Sequence, residues 1–181
     1  TKVDGLIFLG SGSNELDESL QRFSKPTVRI GEPYPGSSSV AADDYDGSRR
    51  LANHLFRRGH RRVLYRLCLQ KLASAMRRYE GFCEAAKTLK MDVIPAEPAN
   101  LDDDITDEES RTLENFRTNR ITAVAGWRDW SASKVLAFCY KRGIFVPDDI
   151  AVVGFDGLTP HICPPQYRPT TVVVEWSLIA E

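Results

Sequence analysis

The segment Ile150-Ala151-Val152-Val153 is an unbroken apolar run, entered through Val146-Pro147-Asp148-Asp149 and left through Gly154-Phe155-Asp156-Gly157. A strand with one wet face alternates polar and apolar residues, so a run without alternation predicts a parallel strand covered by helices on both sides. The same theme repeats along the chain. Strands are predicted at residues 5–10, 27–30, 39–42, 63–66, 92–95, 123–126 and 150–154. Helices are predicted between them at 15–23, 45–58, 74–89, 107–117 and 130–142, with Asp44, Thr106 and Asp129 placed to cap three of them. Strands separated by helices of about ten residues or more predict an α/β fold with parallel sheets. Ligands of such sheets bind beyond the carboxyl ends of the strands, which makes Asp156 a candidate contact. Its plainer alternative is a residue that opens the next turn.

Composition limits the function classes. The 181 residues carry 24 lysines and arginines against 25 acids, so this chain has no overall electrostatic footprint for nucleic acid. The basic cluster from Arg57 to Arg62 reads as a helix C-terminus, with cations facing the negative end of the dipole and Gly59 supplying a left-handed cap. Cys68, Cys83, Cys139 and Cys163 show no CxxC spacing and read as free thiols of a reducing, cytoplasmic compartment. No apolar run approaches the roughly 20 residues of a membrane span, and the first residues do not read as a signal peptide.

Signals for catalysis are weak. Gly10-Ser11-Gly12-Ser13-Asn14 lacks the third glycine and helix-opening context of a dinucleotide loop. His54, His60 and His161 lack triad or metal spacing, and Asp102-Asp103-Asp104 reads as a solvated loop rather than a calcium loop. The reading is a non-enzyme without cofactor or metal.

Several short motifs follow one another: Asp43-Asp44-Tyr45-Asp46-Gly47, Ala52-Asn53-His54-Leu55, Arg58-Gly59-His60-Arg61-Arg62-Val63, Arg78-Tyr79-Glu80-Gly81-Phe82, Gly143-Ile144-Phe145-Val146-Pro147, the Asp156 strand and Pro169-Thr170-Thr171-Val172. In this order they resemble the effector-binding core of the lactose-repressor/galactose-repressor family of bacterial transcription regulators. The resemblance implies a two-lobed fold like that of the type I periplasmic sugar-binding proteins. Residues 1–42 would form part of an N-terminal lobe, 43–173 a C-terminal effector-binding lobe, and 174–181 a return segment. The family's helix-turn-helix and first two βα units have no counterpart in this sequence, so the chain reads as a fragment. The implied partners are a small effector (a sugar, sugar acid or sugar phosphate), a second copy of the chain, and operator DNA bound through the missing segment, with no membrane. An exported solute-binding protein of the same fold is the alternative.

The resemblance also implies site residues. Arg78 is expected between the lobes, where a guanidinium grips hydroxyls or a carboxylate. Asp156 matches a strand-end aspartate that accepts ligand hydroxyls. Trp176 falls on the returning segment, either stacking on a sugar face or filling a core. Ser74 lies one turn before Arg78, as a ligand contact or a helix cap. In Trp127-Arg128-Asp129, arginine stands where most relatives have asparagine. Two free arginines would favour an anionic effector; alternatively Arg128 pairs with Asp129 or Asp156.

Overall fold

The computed structural model describes residues 3–10, 14–33, 38–70, 72–158 and 168–180. His161, Cys163 and the centre of the 10–14 loop lie outside these. The elements run β1 (Leu6–Leu9), α1 (Asn14–Gln21), β2 (Thr27–Ile30), β3 (Ser38–Val40), α2 (Asp44–Arg57), β4 (Arg62–Arg66), α3 (Ala73–Thr88), β5 (Asp92–Ala96), α4 (Asp107–Glu114), β6 (Ala123–Gly126), α5 (Asp129–Arg142), β7 (Ala151–Asp156), β8 (Thr170–Val173) and α6 (Trp176–Ala180). They build two separate sheets, β1-β2-β3 and β5-β4-β6-β7-β8, and each strand pair is parallel.

The larger sheet is covered on both faces, which is why its strands lack alternation. On one side Val63, Tyr65, Ala123, Ala125 and Val153 meet Leu51 and Leu55 of α2 and Phe82 and Ala86 of α3. On the other, Leu64, Val124 and Val152 meet Val135 and Leu136 of α5 and Leu113 of α4. Successive side chains of one strand therefore feed two cores.

Helix α2 begins one residue earlier than predicted. Asp43 caps it, its carboxylate accepting from the Asp46 N–H at 3.0 Å, which releases Asp44 for another partner. At its far end Gly59 takes the left-handed conformation (φ 94°), as expected of a C-terminal glycine. Helix α4 stops at Glu114 rather than at Arg117. Its last carbonyls are taken up locally: the Asn115 side chain donates to the Arg111 carbonyl, and Phe116 N–H to that of Leu113.

Helices α2 and α3 touch at Gly81, where a Cβ would lie 2.3 Å from the Tyr45 carbonyl oxygen. Gly81→Ala should force the two helices apart and cost about 1–3 kcal/mol, measured by urea unfolding; an unchanged midpoint would refute that packing role. The smaller sheet is less covered: Ile7 and Leu9 on β1 are 78% and 74% exposed.

Candidate functional site

In the five-stranded sheet the chain order reverses between β4 and β6, the strands on either side moving off in opposite directions. The crevice at the carboxyl ends of such a pair is where parallel α/β sheets place ligands. Arg78, from the second turn of α3, is held there. Its Nη1 donates to the Trp127 carbonyl, just past β6, at 2.9 Å. Nε donates to Asp44 Oδ1 at 2.7 Å, and Nη1 pairs with Asp156 Oδ1 at 2.9 Å. The guanidinium also lies 3.9 Å from the centre of the Phe155 ring. Arg78 is 6% exposed, so its partners come from three different elements that meet only in the folded chain.

Burial raises the carboxyl pKa of Asp44 and of Asp156, the nearby Arg78 charge pulls each back down, and a like charge adds to the rise, Glu32 at Asp44 and Asp44 at Asp156. Asp156 has φ 108°, a conformation uncommon for a residue with a side chain. That strain sits at the end of β7, at the residue whose carboxylate meets Arg78.

The smaller sheet reaches the same region. Glu32, two residues past β2, accepts from the Ser74 N–H at 3.1 Å and from the Ser74 hydroxyl. Ser74 is therefore not the helix cap; Leu72 holds that position without a side-chain bond, and a carboxylate from the other sheet serves the helix N-terminus instead. The chain just past β2 of the smaller sheet thus meets the first turn of α3, one turn before Arg78.

Arg128 does not join Arg78 and Asp156 in direct contact. It pairs with Asp103, with Nε and Nη2 at 2.9 and 2.8 Å from Oδ2, and lies over the Trp127 ring at 4.5 Å. The expected partners Asp129 and Asp156 are not the ones it takes. Asp103 also accepts from Trp127 Nε1 at 3.1 Å, and at 2% exposure it is no part of a solvated loop. The premise of two unneutralised arginines is not met: Arg78 is shared by two carboxylates and Arg128 by one.

What anchors the Asp103 loop is Arg66, which sequence reasoning missed. At 0% exposure it donates to Glu109 Oε1 (2.6 Å) and Oε2 (3.1 Å), to the Ser131 carbonyl (2.8 Å), and to the Asp103 carbonyl (2.8 Å). The only sequence signal was an arginine directly ending an apolar strand. Its partners lie 37 to 65 positions away.

Asp129 does not cap α5. Arg128 occupies the cap position without a side-chain bond, and Asp129 accepts from the Thr171 hydroxyl of β8 at 2.6 Å. Its pKa is pushed up to about 6 by burial, against the Thr171 hydrogen bond and with the Asp156 charge adding to the rise. A folded-state pKa above the ordinary 3.8 means that the folded state takes up a proton which the unfolded chain does not. Stability from this proton is complete below that ordinary value and is lost as pH rises through about 6. Asp129→Asn, whose amide oxygen still accepts from Thr171, should remove about 2–3 kcal/mol of that decline. Urea unfolding between acid and neutral pH measures it, and identical slopes for both proteins would refute it.

Trp176 opens α6 and is 42% exposed, so it is not a core tryptophan; Trp127 is buried. Among the described residues no cluster of histidine, cysteine or acidic side chains is arranged to hold a metal, the thiols of Cys68, Cys83 and Cys139 are free, and no helix is long and apolar enough to cross a membrane.

Comparison with known proteins places this geometry in context. Residues 52–181 match the model of the periplasmic binding protein-like domain. The chain is 28% identical to the ribose operon repressor of Bacillus subtilis (strain 168), over 78% of this chain and 43% of that protein. It is 26% identical to the HTH-type transcriptional regulator GalR of Escherichia coli (strain K12), over 89% of this chain and 47% of that one. The solved structure of the transcriptional regulator CelR in complex with cellobiose is 25% identical, with TM-score 0.77 over 98% of this chain and 56% of that one. The chain spans less than half the length of these two curated relatives.

Proposed function

Because this chain belongs to the periplasmic binding protein-like domain family, in the branch of lactose-repressor/galactose-repressor transcription regulators, we propose that it is the effector-sensing part of such a regulator and that its effector is a neutral sugar. The observation that carries this reading is the Arg78–Asp156 pair at the strand ends, with Glu32 from beyond β2 bound to Ser74 one helical turn before Arg78. A carboxylate fixed by a guanidinium keeps lone pairs for the hydroxyls of a polyol. An anion would meet carboxylates beside Arg78 and Arg128, both of which are already paired. The relatives are regulators rather than enzymes. An effector that bridges the two sheets favours the conformation in which they approach, and this differential affinity is what shifts operator binding in the full-length dimer.

The test is a thermal-shift screen of the full-length protein against neutral sugars, sugar acids and sugar phosphates, since a ligand of the folded state raises its stability by mass action. A neutral sugar should raise the midpoint, and Asp156→Asn should abolish the rise. A response confined to the acids or phosphates, or one that survives Asp156→Asn, would overturn the reading.

A further inference from the structure

At the opposite end of the five-stranded sheet, away from Arg78, there is a second concavity of about 540 Å³. His54 and Arg58 enter it from the end of α2, His60 from the turn before β4, and Arg168 and Thr170 from the entry to β8. Val146, half-buried, and Pro147, exposed, form its accessible apolar wall, and its described lining includes no carboxylate. Arg58 and Arg168 are exposed and make no ion pair among the described residues. The His60 ring is fixed by a 3.0 Å hydrogen bond between Nδ1 and the Thr122 hydroxyl. Burial lowers its pKa, and the nearby basic groups of His54 and Arg61 lower it further.

The dipole of α2 accounts for basic residues in its own last turn. It does not account for Arg168, which is brought to the same hollow by a different element, nor for the apolar wall. Two guanidinium groups converging beside two imidazoles, with no acid in the described lining, form an anion site, and a volume of this order is ordinary for a small-molecule pocket. Two guanidinium forks match the several acceptor oxygens of a phosphate better than the two of a carboxylate. We propose that this cavity is a second ligand site, separate from the one between the sheets, and that it takes the phosphate group of a small phosphorylated molecule with its carbon part against Val146 and Pro147.

Calorimetric titration of the full-length protein with inorganic phosphate and with phenyl phosphate, against chloride at matched ionic strength, tests this. Both phosphates should bind, the phenyl ester more tightly because it also covers the apolar wall. Arg58→Gln and Arg168→Gln change exposed residues, and each should weaken both phosphates by about tenfold or more while leaving the unfolding midpoint in phosphate-free buffer unchanged. Asp156→Asn should leave phosphate binding intact, which separates this site from the sugar site proposed above. No heat beyond the chloride control, undiminished affinity in both arginine variants, or loss of binding in Asp156→Asn would each overturn the proposal.

Discussion

Arg78→Ala should cost about 3–5 kcal/mol of stability and abolish the effector response. The substitution strands two carboxylates, Asp44 at 2% and Asp156 at 15% side-chain exposure, beside each other without their shared cation. Burial already raises both carboxyl pKa values, and removing Arg78 removes the main influence that lowers them. In the variant both groups bind protons more readily folded than unfolded, so the deficit should be large at neutral pH and shrink as pH falls. Urea unfolding at neutral and mildly acidic pH measures it. Arg78→Ala combined with Asp44→Asn and Asp156→Asn should recover much of the loss at neutral pH. An equal deficit at both pH values, or no recovery, would mean that Arg78 matters through packing against Phe155 rather than through charge. Arg78→Lys should not substitute, because an ammonium cannot reproduce a planar fork that serves Asp44, Asp156 and the Trp127 carbonyl together.

Arg66→Met should be about as damaging, at about 3–5 kcal/mol, although Arg66 lies behind the site. It leaves Glu109, 3% exposed, without its partner and takes from the Ser131 and Asp103 carbonyls the hydrogen bonds that Arg66 donates. The double variant Arg66→Met with Glu109→Leu should recover most of the stability, because replacing a whole buried ion pair by apolar groups costs far less than orphaning one member. It should not recover effector affinity fully, since the loop that carries Asp103, and through it Trp127 and Arg128, is still released. Parallel unfolding and ligand-binding measurements separate the two effects; complete recovery of both would show that the loop is positioned without Arg66.

The sequence by itself determined the parallel α/β architecture and the order of its elements. Those properties rest on local signals: the unalternated run before Asp156, the helical periodicities, the Thr106 cap and the left-handed Gly59. The ordered motifs around Arg78, Gly81 and Asp156 also pointed to the right family, because each marks a place where side-chain choice is narrow: a close helix contact at Gly81, a core filler at Phe82, a strained strand end at Asp156. Strand β8 and helix α6 were not resolved as elements, being short segments without a period of their own.

Only the tertiary structure decided who pairs with whom. Asp44 and Asp129 carry good capping signatures, yet Asp43 and the backbone at Arg128 fill those positions, and the two aspartates turn to Arg78 and Thr171. Asp103 sits in a run of acids that reads as solvated, and it is buried because Arg66, Trp127 and Arg128 converge on it. A charge pair across 25, 34 or 43 positions leaves no periodic trace in a chain. Its partner is selected by whichever donor the fold brings within about 3 Å and by the high cost of leaving a buried charge alone.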